Sequence, residues 1–226
     1  MVRADREILD KDASIEDIYM TFKRGEADIL IGTQMIAKGW DIPNVTLVGV
    51  VLADIGLNVP DFRSSERIFQ LLTQVAGRTA RGTLHGEVII QTYNPENPAI
   101  TAAAGENFDR FYTQEISTRK TYGFPPFTKL FTCYFEGKSL QEAIKKAEDI
   151  ALKFKEADTT LVKKHPSLTP SIIHLSPAII AYRNSLHHYT TVIKTTHLDL
   201  LLSQFEAGEL RQWKLDILKI AAKKVS

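Results

Sequence analysis

Two short apolar runs with no polar alternation, Ile29-Leu30-Ile31 and Thr46 to Leu52, constrain this chain most. Runs of that length and texture predict strands covered on both faces, as in a parallel sheet packed under helices. Around them, Ile15, Ile18, Tyr19 and Phe22 recur at helical spacing behind a Ser14/Asp17 capping pattern, and Gly25 stops the repeat. Ser64 to Val75 is helical in composition and Glu87 to Thr92 is a further β-branched run. The order α, β, β, α, β predicts a portion of an α/β parallel-sheet domain.

A second texture begins after Asn97-Pro98. One long helical stretch runs to Tyr122, with Phe108, Phe111, Tyr112 and Ile116 on a stripe, and Gly123-Phe124-Pro125-Pro126 ends it. Beyond lie a strand at Leu130–Phe135, a helix at Leu140–Lys155, a polar loop, strands near Ile172–Leu175 and Tyr189–Lys194, a helix from Leu198 and a strand near Trp213–Ile217. That βαββαβ order predicts an α+β ferredoxin-like unit. The expected organisation is therefore 1–97, a partial α/β lobe; 98–127, a connecting helix and Gly/Pro join; and 128–226, the C-terminal domain. Charge divides the same way. Residues 1–97 hold 10 Lys/Arg against 14 Asp/Glu, net −4, and residues 128–226 hold 15 against 10, net +5, so nucleic-acid affinity is expected in the second part.

Composition excludes several classes. No apolar run approaches the ~18 residues of a membrane span, and the charged N-terminus lacks a secretory pattern. The single cysteine, Cys133, permits no internal disulfide and no multi-cysteine zinc site, and mid-strand it reads as a small buried hydrophobe. His187 and His188, adjacent on a strand, point to opposite faces and cannot share a metal. No metal site is expected, and a reducing cytoplasm is the expected setting.

Two stretches make poor sense as packing. Gly32-Thr33-Gln34-Met35-Ile36-Ala37-Lys38-Gly39-Trp40-Asp41 follows a strand at the edge where open α/β sheets bind ligands. Its glycines permit close backbone approach, Thr33 and Lys38 suit phosphate, and Asp41 suits a ribose hydroxyl. Gln74-Val75-Ala76-Gly77-Arg78-Thr79-Ala80-Arg81-Gly82 places Arg78 and Arg81 on one helix face. Gly77 inside that helix asks for a reason such as close approach to a backbone or nucleotide, and paired guanidinium groups suit a transferring phosphoryl group.

Together these stretches resemble motifs V and VI in the second recombinase (RecA)-like lobe of superfamily 2 helicases. GTQMIAKG, LNVPDFRSSER, QVAGRTARG, GEVIIQT and the RKTYGFPPF join narrow the resemblance to the replication-restart helicases of the primosomal protein N′ (PriA) family. It is strongest over 28–127 and continues weakly through LSPAIIAYRNSLHHYTTVIKT. The resemblance implies an ATP-driven, 3′-to-5′ DNA helicase that acts with helicase-loading proteins at abandoned forks and on single-stranded DNA. It places Thr33 beside DNA and Lys38, Gly39 and Asp41 in the part of motif V that links DNA to nucleotide. Gln74, Gly77, Arg78 and Arg81 match motif VI, with Arg78 and Arg81 as arginine fingers. Thr79-Ala80 departs from the family's usual Ala-Gly there.

Family members also carry a Walker A loop, an acidic Mg²⁺ box and a cysteine-rich zinc element, none of which occurs in these 226 residues. The chain therefore reads as the C-terminal part of a longer motor, inactive alone, with ATP and Mg²⁺ as cofactors of the intact protein and the family's zinc site outside this chain. The rival reading is a non-enzymatic DNA-binding or scaffold module. In the second part, Tyr134, Tyr182, Tyr189 and Trp213 lie on or beside predicted strands with Lys129, Arg183, Lys194 and Lys214 nearby. An open sheet face carrying them would stack bases and neutralise phosphates.

Overall fold

The computed structural model describes residues 1–4, 15–33, 45–79, 86–213 and 215–217, which form two compact units, Met1–Glu115 and Ile116–Ser226. In the first unit, β1 (Val2–Ala4) pairs in parallel with β2 (Leu30–Gly32), and α1 (Ile15–Lys23) lies between them in sequence. The capping residue expected for α1, Ser14, lies outside the described residues. A second parallel pair joins β3 (Leu47–Val50) to β4 (Glu87–Ile90), with α2 (Asp54–Leu57) and α3 (Ser64–Thr79) in the crossover.

These strands are not covered on both faces as their composition suggested. Val48, Val50, Val88 and Ile90 are half-buried, while Leu47 and Ile89 on the alternate positions are more than half exposed. The reason lies in the helices, because among the described residues the core gathers on one side. Ile68, Phe69 and Leu72 of α3 pack with Ala99, Ile100, Ala102 and Ala103 of α4 (Pro98–Ala104), against Val50 and Ile90. Asn97 caps α4 by accepting from Ala99 N, with Pro98 at its first turn. The long helix expected from 98 to 122 is two helices. Gly105 and Glu106, the latter at φ +48°, break it, and Asn107 accepts from Arg110 N to start α5 (Phe108–Thr121). Phe111 of α5 stacks on Phe69 with centroids 4.1 Å apart.

The second unit is a four-stranded antiparallel sheet ordered β6-β7-β5-β8, made of β5 (Lys129–Gly137), β6 (Ile172–Arg183), β7 (Leu186–Thr195) and β8 (Leu215–Ile217). Asn184 and Ser185, both at positive φ, turn β6 into β7, the geometry that matches strand twist in a two-residue hairpin. α6 (Leu140–Lys164) crosses from β5 to β6, and α7 (Leu198–Leu202) with α8 (Ala207–Gln212) precedes β8. Ser139 caps α6 by accepting from Glu142 N.

Phe131, Cys133 and Ile193 turn toward α6, where Phe154 meets the rings of Phe131, Phe205 and Trp213 edge-on at 4.8–5.4 Å. Burial pushes the Cys133 thiol up to about 12. At the β5–α6 corner, a Cβ on Gly137 would lie 2.6 Å from Ala143 N and 2.8 Å from Ser139 O. Both are backbone atoms that cannot step aside. Gly137→Ala is therefore expected to destabilise the second unit by about 1–3 kcal/mol, read as a lower denaturation midpoint with an unchanged m-value.

Candidate functional site

The carboxyl ends of β3 and β4 form a braced edge. Leu52 leaves β3 at φ +59°, a conformation that costs a non-glycine residue energy. Two residues on, Asp54 ties the strands together, with Oδ1 accepting from Thr92 Oγ1 at 2.9 Å and Oδ2 from Tyr93 N at 3.0 Å. The Tyr93 amide is the largest cause holding the Asp54 carboxyl below its ordinary pKa.

Beyond α2, Asp61 organises the entry to α3. It accepts from Arg63 N at 2.9 Å and from the Arg63 guanidinium fork, Nε to Oδ1 at 3.0 Å and Nη2 to Oδ2 at 2.7 Å, while Arg67 Nη2 reaches Oδ2 at 2.9 Å. Burial works against the ionised Asp61, but the Arg63 hydrogen bonds and both arginine charges outweigh it and its pKa is lowered. A carboxylate with a depressed folded pKa stabilises above its unfolded pKa, and that contribution fades as pH falls through the folded value. Asp61→Asn is accordingly expected to leave a shallower loss of first-unit stability below pH ~4, read from acid unfolding curves.

α3 carries this brace toward the arginine-rich motif. Ile68, Phe69, Leu72 and Val75 are its buried face, while Arg67, Gln70 and Gln74 are exposed on the other. Gly77 is exposed, and a Cβ there would meet nothing within 4 Å, so no close backbone neighbour among the described residues demands this glycine. Arg78 lies in α3 by its backbone, its side chain outside what is described. Thr33 is exposed directly after β2. Lys38, Gly39, Asp41, Arg81 and Lys214 lie outside the described residues.

In the second unit the expected nucleic-acid face changes. Trp213 is buried in the core against Phe154 and Phe205 and is unavailable for stacking. Its place at the α8 C-cap, ahead of β8, directs it inward. Tyr189 pairs in register with Phe135, on the same side of the sheet as Thr191 and Ile193, so it belongs to the helix side. Tyr134 is 40% exposed on the opposite face, and Tyr182 is exposed at the hairpin with its ring 4.9 Å from His187. Of the basic residues, Arg183 is exposed at the hairpin turn and Lys129 pairs with Asp199 at 2.7 Å. Lys194 is half-buried with Nζ 3.7 Å from the Phe124 ring centroid and 3.4 Å from Tyr122 O, and burial lowers its pKa. It secures the Gly-Phe-Pro-Pro join to the sheet.

The sequence reading also missed a buried polar cluster. His197 Nε2 and Asp158 Oδ1 are 2.9 Å apart, and Ser171 donates to the same carboxylate through N and Oγ. Both side chains of the pair are under a tenth exposed.

Residues 10–83 match the helicase conserved C-terminal domain. Along 87% of its length the chain is 42% identical to the replication restart protein PriA of Chlamydia trachomatis, and along 90% it is 40% identical to that of Bacillus subtilis. The PriA of Synechocystis is 44% identical over 67% of the chain. The chain spans about a quarter of the length of the first two relatives. A helicase C-terminal domain followed by matched sequence through both structural units places this chain in the PriA replication-restart family.

Proposed function

We propose that this chain supplies the second, RecA-like lobe and the C-terminal domain of an ATP-dependent, 3′-to-5′ DNA helicase of superfamily 2 that restarts replication at stalled forks. The parallel β3–β4 pair with its α3 crossover supports a RecA-like lobe, and the strand order β6-β7-β5-β8 over a βαββαβ succession supports a ferredoxin-like domain. Residues 1–97 would then form the lobe part, 98–127 its join and 128–226 the C-terminal domain. Its partners are forked and single-stranded DNA and helicase-loading proteins, in the cytoplasm.

One observation carries the motor reading: Gln74 and Gly77 lie on the exposed face of α3, where a nucleotide can approach Gly77 without displacing packed atoms of the described residues. ATP with Mg²⁺ supplies the phosphoryl group whose transfer powers movement. Arg78 and Arg81 stabilise charge on that group, Lys38, Gly39 and Asp41 connect the nucleotide to the DNA track, and Thr33 contacts the DNA backbone. The family's zinc element and the triphosphate-cradling loop belong to other parts of the intact protein.

The full-length protein is expected to hydrolyse ATP when single-stranded DNA is added and to unwind forked duplexes, and the purified 226-residue chain to do neither. Hydrolysis by the chain itself, tracking with it through successive purification steps, would remove the division of labour between lobes. A full-length protein that binds forks without hydrolysing ATP would favour the scaffold reading.

A further inference from the structure

α2 is a four-residue helix with Gly56 on the side that meets α3, where a Cβ would lie 2.1 Å from Ile68 Cδ1 and 2.9 Å from Ile68 Cγ1. We propose that α2 is the seat that positions α3 for ATP hydrolysis, with Gly56 setting how closely the two helices approach and therefore where Arg78 stands. The role rests on the motor reading for the reaction, but α2 belongs to neither motif V nor motif VI.

α2 is held at three points. At its start, Asp54 accepts from Thr92 Oγ1 and from Tyr93 N, which ties it to the chain leaving β4. Just past its end, Val59 O accepts from Ser64 Oγ at 2.8 Å, and Ser64 is the first residue of α3. Between these ties Gly56 faces Ile68, which is 4% exposed and shares a core with Ala53, Phe69 and Leu72. Carbon atoms in contact lie ~3.5–4 Å apart, so a methyl group at position 56 would have to move Ile68 by ~1 Å or more. A packed core leaves little room for the side chain to swing alone. Since Asp54 anchors α2 to the strand side, α3 is the element that yields. A helix moves as a unit, and Arg78 lies ten residues beyond Ile68, ~15 Å along the axis. Misplacing by ~1 Å a group that acts in the transition state can cost ~100-fold in rate.

The test is steady-state ATP hydrolysis by the full-length protein on saturating single-stranded DNA, at temperatures well below each variant's unfolding midpoint. Gly56→Ala should lower kcat by ~10-fold to 100-fold, with KM for ATP and affinity for DNA near the parental values. Adding Ile68→Val removes the Cδ1 atom that the new methyl group meets. The double variant should therefore recover to within about threefold of Ile68→Val alone, a coupling expected only of residues in contact. Asp54→Asn, which weakens the tie to β4 without adding bulk, should lower kcat in the same sense with KM held. Gly137→Ala, destabilising through overpacking in the second unit, should keep the parental kcat and so separates lost stability from lost placement.

Parental kcat in a folded Gly56→Ala protein would overturn the role. So would a loss that Ile68→Val fails to recover, or a raised KM with kcat unchanged. If Gly56→Ala does not fold, Asp54→Asn decides, and parental kcat there would overturn the role. A parental protein that hydrolyses no ATP would remove the motor reading as well, whereas parental hydrolysis untouched by these variants would remove the role of α2 alone.

Discussion

In the full-length protein, Arg78→Ala is expected to slow DNA-stimulated ATP hydrolysis by ~10³-fold or more while DNA affinity stays near the parental value. The size of the effect follows from when the guanidinium acts. A contact made equally to bound ATP and to the transition state would change affinity alone, whereas one that strengthens as charge spreads over the transferring phosphoryl group changes turnover. α3 supports such a placement, being a helix packed along one side by Ile68, Phe69, Leu72 and Val75. Arg78→Lys should recover little, since a point charge lacks the planar fork. Steady-state turnover and single-strand binding, measured on the same preparations, check both halves. Parental turnover in Arg78→Ala would strip the residue of the role.

The second large effect is structural. Asp158→Ala is expected to destabilise the second unit by ~3–5 kcal/mol, because it leaves His197 buried and Ser171 half-buried with their shared acceptor gone. For a unit of this size the unfolding midpoint should fall by more than ~10 °C. A double replacement, Asp158→Leu with His197→Phe, should be milder than Asp158→Ala, since an apolar pair asks for no partner. Calorimetry of the three proteins settles the order. A double variant no more stable than Asp158→Ala would mean that the cluster's shape, and not its polar pairing, holds α6 to the α7 entry.

That cluster also shows where the sequence stopped being readable. Ala143, Ala147, Ile150 and Phe154 announce a helix, but the expected end at Lys155 came nine residues early. The buried stripe continues through Asp158 and Leu161, and an aspartate on an apolar stripe looks like a terminus until His197, 39 residues away, is seen beside it. The alternation of strands and helices in the second unit was legible because each element has its own period, although the helix expected from Leu198 is two short ones, α7 and α8.

One-sided burial of β3 and β4 was not legible, because an apolar run reads the same whether one face or both are covered. Trp213 failed for a related reason: aromatic residues near basic ones look alike in a core and on a binding face. Ahead of α3, LNVPDFRSSER was legible as a signature but not as the brace around Asp61. That one carboxylate would gather Arg63 and Arg67 depends on the turn made by Asp61 N to Val59 O and Ser64 N to Asp61 O, which spacing alone does not specify.

Cys133 has a practical consequence. It is the chain's single cysteine, fully enclosed on the helix side of β5, and its thiol stays protonated far above neutral pH. A disulfide-exchange reagent needs a thiolate and a path to it, and the folded second unit supplies neither. Labelling can proceed only through openings that part the enclosing elements around β5, so the rate at which this native thiol is consumed, measured without any engineered probe, is a clock for those openings.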